Sequence, residues 1–432
     1  MKDTLTSNEV THKKAIILGI QHLLAMYSGA VAVPLLIGTA LHFNSSQMTY
    51  LVSIDIFMCG LATFLQLIRN RYFGIGLPVI LGCAIQAVAP LKMIGHEYSI
   101  GTMYGSIIVA GIFVFLIAGV FAKIRKFFPP VVTGSLITVI GLTLIPIAVQ
   151  NLGGGNVNSS HFGQISNLLT GIITILIILA IQFWCKGFIR SIAVLIGLIV
   201  GTIIASFMGM VSLKPVTSAA WFHFPQPFFF GLPKFAISPS LTMIIIALVS
   251  MVESTGVFFA LGNLLNKDIL AMDLKRGYRA EGLAVILGGI FNTFPYTTFS
   301  QNVGLLELSG IRTKRPIYWA AALLMIMGLL PKIGALATII PTSVLGGAML
   351  VMFAMISVQG IRMLAKVDFT KDNNALIVAI SIGSGLGVSV YPNIFQALPQ
   401  SLQLFLGNGI VVASVCAVAL NAILNHKNMT SK

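Results

Sequence analysis

A few ionisable side chains in this sequence sit inside stretches that are otherwise apolar, and they are the residues whose types are able to do chemistry. Glu253 lies in Ser250-Met251-Val252-Glu253-Ser254-Thr255-Gly256, with no basic residue in the adjacent turns. In hydrocarbon such a carboxyl is costly and marks function by default. Its chemistry would be to accept N–H groups when ionised, or to take up and release a proton. His22, in Gly19-Ile20-Gln21-His22-Leu23, reads as a hydrogen-bonded packing residue or a direct ligand contact. Asp55, in Ser53-Ile54-Asp55-Ile56, reads as a structural hydrogen-bond partner or a member of a proton network rather than a ligand contact. Glu281, beside Arg279, and Glu307 read as interfacial carboxylates paired with nearby Arg and Lys. The four cysteines, Cys59, Cys83, Cys185 and Cys416, form no Cys-x-x-Cys pair and read as small buried hydrophobes, not disulfides or metal ligands. His96-Glu97 runs on into Tyr98-Ser99-Ile100, so it is no zinc-protease motif, and no nucleophile elbow or phosphate loop is present. No enzyme and no bound cofactor or metal is expected.

The elements that carry these residues follow from composition. The chain has 432 residues, 57% of them hydrophobic and 9% charged. A soluble domain carries roughly 25% charged residues. An all-α polytopic membrane protein in a lipid bilayer is the class that remains. Crossing a bilayer takes about 20 apolar residues, and fourteen apolar segments recur, the first at 15–40, the eighth at 238–264, the ninth at 279–295, the eleventh at 316–331 and the twelfth at 334–361. The third, 73–93, holds Gly74, Gly76, Pro78, Gly82 and Pro90, and the tenth, 296–310, follows Pro295 and holds Gly304 with several hydroxyls, so both are expected to be broken helices. Residues 1–14 are polar, end in Lys13-Lys14 and precede a long apolar run, which reads as a retained first span.

The charges orient the segments. With both termini in the cytoplasm, all of the 26 Lys and Arg except Lys92, Lys214, Lys234 and Lys332 fall on the inner side. That is a strong positive-inside pattern. The net charge of +15 is therefore a topology signal, and no nucleic-acid partner is expected.

Pro129-Pro130-Val131-Val132-Thr133-Gly134 opens the fifth segment, and Pro341-Thr342-Ser343-Val344-Leu345-Gly346 opens the twelfth. An odd number of spans separates the two copies, so they enter the membrane from opposite sides. This is the pattern of an inverted repeat, as in secondary transporters, where paired broken helices point to a binding site near the midplane. Unwound backbone at that depth must be buried in protein or line a cavity.

The tenth segment also carries a motif. Gln301-Asn302-x-Gly304, followed by Ser309-Gly310, resembles the signature of the nucleobase–ascorbate transporter family, with Ser309 where a Thr is usual. Gln21-His22, Glu253-Ser254-Thr255-Gly256, Leu77-to-Cys83, Phe127-to-Gly134 and Gly277-to-Gly282 resemble that family too. The likeness covers almost the whole chain and is strongest to bacterial xanthine and uric acid permeases. It implies fourteen segments in two inverted repeats of seven, with short strands in segments 3 and 10. A core would comprise 15–122 and 238–331, and a gate 127–210 and 334–424, the gate supporting a homodimer. The polar tails 1–14 and 425–432 would be cytoplasmic, in a multi-pass protein of the bacterial cytoplasmic membrane.

The resemblance further implies proton symport of a purine, with xanthine first and uric acid or another nucleobase as the alternative. Glu253 and Gln301 would bind the ring. Backbone groups of Phe299, Ser300, Ala84 and Ile85 would add contacts, and Phe299 or a gate aromatic would stack on it. Asn302 would orient the site, His22 would tune Glu253 or its neighbours, and Glu253 would couple the proton, with His22 or Asp55 in support. Gln86, where relatives often have hydroxyl or Phe residues, either alters substrate preference or bonds to backbone. An anion transporter of the same architecture is a less favoured reading, because Glu253 has no intramembrane Arg beside it.

Overall fold

Two three-residue strands, eighteen α-helices and two short 3-10 helices, Ile85–Ala87 and Pro392–Phe395, are the regular elements of the part of the chain that the computed structural model describes, residues 11–124, 129–370 and 373–425. The outer parts of both tails lie outside those residues, as do Phe127 and the basic side chains of Lys2, Arg125, Lys126, Lys371, Lys427 and Lys432.

The first half runs through α1 (His12–Ala40), α2 (Ser45–Leu67), β1 (Leu81–Cys83), α3 (Val88–Glu97), α4 (Ile100–Ile124), α5 (Pro130–Leu152), α6 (Ile165–Trp184), α7 (Gly187–Ser191), α8 (Ala193–Phe207) and α9 (Lys214–Ser218). The second runs through α10 (Ile237–Leu264), α11 (Ala271–Ile290), β2 (Tyr296–Thr298), α12 (Gln301–Ser309), α13 (Arg315–Gly328), α14 (Pro331–Thr338), α15 (Thr342–Leu364), α16 (Asn374–Val390), α17 (Gln400–Leu406) and α18 (Gly409–Leu424). Among the described residues seven helices are long and apolar enough to cross a membrane, and the pair α13 and α14, bent by 83°, makes an eighth. The helices α8, α16 and α18 are shorter and apolar. The chain is thus a mostly helical, membrane-type protein.

Both expected breaks occur. Segment 3 is extended until β1 and continues as the short helix α3; segment 10 is β2 followed by α12. Two other boundaries differ from the sequence reading. The helix expected at 279–295 is α11 and begins at Ala271. Its first turns carry Asp273, Lys275 and Arg276, which interrupt the apolar run, but Asp273 is buried by its ion pair with Arg69 at 2.7 Å and accepts from Leu270 N. The segment expected at 334–361 begins instead at Thr342, because α14 packs on α2 and continues the bent span that starts with α13.

The helices pack as two sets. In one, α4 lies on α10 and α11, and α13 on α1 and α2; in the other, α15 lies on α5 and α6, and α16 and α18 on α5. Pro129 and Pro341, the two ends of the sequence repeat, each hold the N-cap position, of α5 and α15 respectively, and these two helices pack against each other.

Candidate functional site

The strands β1 and β2 pair only with each other, antiparallel, with Leu81 opposite Thr298, Gly82 opposite Thr297 and Cys83 opposite Tyr296. Two further bonds extend the ladder: Ala84 N donates to Pro295 O (2.8 Å) and Phe299 N to Ile80 O (2.9 Å). Inside a bilayer a backbone that leaves the helix must find partners within the protein, and each broken segment supplies the other's. The half-helices α3 and α12 start directly beyond the crossing. Neither has a side-chain cap; the backbone turns that lead into them take up Val88 N at Ile85 O, Asn302 N at Phe299 O and Val303 N at Ser300 O.

A small cavity, about 40 Å³, lies at this crossing. Of the residues singled out in the sequence, Glu253, Phe299, Ser300, Gln301 and Ile85 line it together, and Gln86 joins them. Larger cavities exist, about 560 Å³ beside Tyr50 and His223, about 610 Å³ beside His42, Lys92 and His96, and about 380 Å³ beside Lys92 and Glu97. Glu97 is exposed at the end of α3, so among these cavities the small one alone has a carboxyl from within an apolar span.

The run Glu253-Ser254-Thr255 serves three directions, because consecutive helical residues point roughly 100° apart. Glu253 faces the cavity and accepts from Gln86 Nε2 (3.1 Å). Ser254 Oγ meets Thr297 Oγ1 (3.1 Å) and accepts from Thr298 Oγ1 (3.1 Å), which seats α10 on β2. Thr255 bonds to the Tyr278 hydroxyl on α11. Gln86 also donates to Ser250 Oγ (2.8 Å), so its carboxamide bridges side chains of α10 rather than binding backbone. Phe299 is wedged between Gly29 of α1 and Gly82 of β1, where an added Cβ would overlap its ring.

Several expectations shift. Ala84 does not line the cavity: it is fully buried, its N–H is held by Pro295 and its carbonyl accepts from Ala87 N, so it belongs to the framework. Among the described residues no gate aromatic lines the cavity; α5 and α15 contribute Ile137, Ile140, Ile356 and Gln359. His22 lies beside Asn302, not Glu253. Both are buried, and neither His22 Nδ1 nor the Asn302 carboxamide has a hydrogen bond of good geometry.

Asp55 is fully buried beneath the crossing and accepts from Cys83 Sγ and the Tyr296 hydroxyl, both at 2.9 Å. Those two residues are register partners in the strand pair, so one carboxyl pins both strands. Cys83 is accordingly a polar partner as well as a small hydrophobe. Cys59 completes a group whose possible ligand atoms lie within 4.8 Å of one another.

Glu281 is the residue the sequence reading misplaced. It is 2% exposed on α11, its Oε1 has no partner, and the groups nearest in electrostatic effect are the Ser254 hydroxyl and the Glu253 carboxyl. Arg279, its expected partner, stacks over the Phe115 ring at 5.3 Å instead. Successive residues of a helix diverge, and a neighbour two positions away does not share a face. That rule was the available signal. Glu307, expected at the interface beside a basic partner, is exposed on α12.

Comparison with known proteins gives the family of the chain. A family model described as "Permease family" matches residues 13–394. A xanthine permease of Bacillus subtilis is 55% identical over 95% of this chain and 94% of its own length. The uric acid permease PucK of the same organism is 51% identical over 96% of each. Among solved structures, the transmembrane domain of a cyanobacterial bicarbonate transporter, BicA, superposes with a TM-score of 0.65 over 93% of this chain and 96% of that one, at 16% identity, a likeness of fold alone. These matches, with the motif residues gathered at the strand crossing, show that the chain belongs to the permease family, the nucleobase–ascorbate transporters, and is a membrane transport protein rather than an enzyme.

Proposed function

We propose that this protein imports a purine, xanthine first and uric acid as the near alternative, by proton symport across a bacterial cytoplasmic membrane. The observation that carries the reading is Glu253, a carboxyl within the apolar helix α10 that faces a cavity at the strand crossing, with Gln86 and Gln301 beside it. A xanthine ring presents alternating N–H donors and carbonyl acceptors. Glu253 accepts from ring N–H groups, Gln301 pairs with the imide edge through its amide, and the half-helix N-termini favour the electron-rich carbonyls. The relatives named for xanthine and uric acid transport support the substrate class.

Glu253 couples the proton, and Glu281 is a second buried carboxyl that would share or relay it. Asp55 and Asn302 support the site from behind, with His22 against Asn302. The architecture is fourteen segments: eight long or bent spans, the shorter α8, α16 and α18, the helix α11 and the two broken segments, arranged as inverted repeats. The two helix sets support a division into core and gate, with 334–338 moved to the core side. The gate set forms the homodimer contact, and both termini are cytoplasmic as the positive-inside pattern requires.

Uptake of labelled xanthine in a host lacking purine transport tests this. Accumulation that collapses with a protonophore, and that urate but not uracil suppresses, is the expected result. Accumulation indifferent to the protonophore would remove proton coupling, and no uptake of any purine would remove the substrate class.

A further inference from the structure

The cavity at the strand crossing has two unlike walls. Glu253, Gln86, Ser300 and Gln301 form the polar one, while α5 and α15 supply Ile137, Ile140, Ile356 and a single polar side chain, Gln359. The backbone beneath Gln359 is fixed on both sides. Gly360 packs directly on Thr138, and Ser357 packs on Gly141, at distances that leave no room for a Cβ on either glycine. The side chain itself is exposed, and its Oε1 accepts from Ser300 Oγ at 3.5 Å, the long limit for such a bond. A contact of that length is weak and readily exchanged.

The cavity, about 40 Å³, has room for a few waters at most. A bicyclic ring enters only when the walls part. The Ser300–Gln359 contact then breaks, and the Gln359 carboxamide faces the ligand. If Glu253 and Gln301 hold the six-membered ring by its imide edge, the five-membered ring is the part that meets the α5 and α15 wall. On that edge the two candidate purines differ. Xanthine presents a C8–H, which suits isoleucine. Urate presents a C8 carbonyl flanked by N–H groups, which needs polar partners, and a carboxamide offers both donors and an acceptor.

We infer that Gln359 is the specificity-determining residue through which this transporter accepts urate beside xanthine; this rests on the purine reading above. The test is competition in the uptake assay, comparing wild type with Gln359→Leu, and with Gln359→Met should the leucine variant be absent from the membrane. Loss of one or two neutral hydrogen bonds should raise the urate concentration for half-inhibition about tenfold. The KM for xanthine should rise by a smaller factor, so that the urate-to-xanthine ratio shifts severalfold, and Gln359→Asn should fall between wild type and Gln359→Leu. A change in packing alone would weaken both purines together, so the urate-to-xanthine ratio is the diagnostic quantity. An unchanged ratio, equal loss of both purines, or a wild type that takes xanthine and ignores urate overturns the inference and leaves the purine reading standing. A wild type that takes neither overturns the purine reading itself.

Discussion

Glu253 shows what one residue contributes when its neighbours are arranged for it. Its carboxyl is oriented by one donor, Gln86, and the rest of its surface is left to the cavity. Replacement by Gln keeps the size and one hydrogen-bonding edge but removes the capacity to carry charge and proton. Glu253→Gln should abolish concentrative xanthine uptake while the protein still reaches the membrane, and should weaken binding by about tenfold or more, the scale of a lost charge-assisted hydrogen bond. Wild-type accumulation by that variant would exclude Glu253 from coupling. Glu253 was legible from sequence because an unpaired acid in an apolar run stands out. Glu281 was not, because Arg279 stood next to it in the chain and only the helix geometry shows that the two side chains diverge.

At the scale of elements, the site depends on two segments that fail to be helices. Glycines, prolines and hydroxyls announced both breaks, but the pairing of β1 with β2 joins positions more than two hundred residues apart, and nothing local encodes that register. Close approach then sets its own demands. The Phe299 ring fills the space between Gly29 and Gly82, and with both sides occupied it has little room to yield. Gly82→Ala should therefore cost about 1–3 kcal/mol of overpacking. Thermal stability in detergent should drop by several degrees, and xanthine affinity should fall with it, since the displaced ring is part of the cavity wall. Unaltered stability and affinity would show that the wedge is looser than its geometry. The same crossing explains Asp55. From sequence it was a hydrogen-bond partner without a partner; the structure supplies Cys83 and Tyr296, one from each strand.

For the whole molecule the question is whether the two helix sets move against each other. Ser300 and Gln359 meet across the boundary between them. With Cys185 and Cys416 replaced by serine, a Ser300→Cys, Gln359→Cys pair provides a cross-link, with each single cysteine variant as the control for pairing with Cys83, which lines the same cavity. Oxidation should stop uptake and reduction should restore it. Undiminished uptake at complete cross-linking would show that the wall does not part there. The sequence alone determined the membrane class, the charge asymmetry of the loops, the two broken segments and the acid Glu253 within an apolar span, because these follow from composition and local spacing, which lipid and water impose on any chain. Only the tertiary structure decided that Gln86 holds Glu253, that Ala84 is framework, that Glu281 is buried near the site and that Gln359 faces it. Each of those facts depends on which distant helix faces which, and that is settled by packing over the whole molecule rather than by any stretch of the chain.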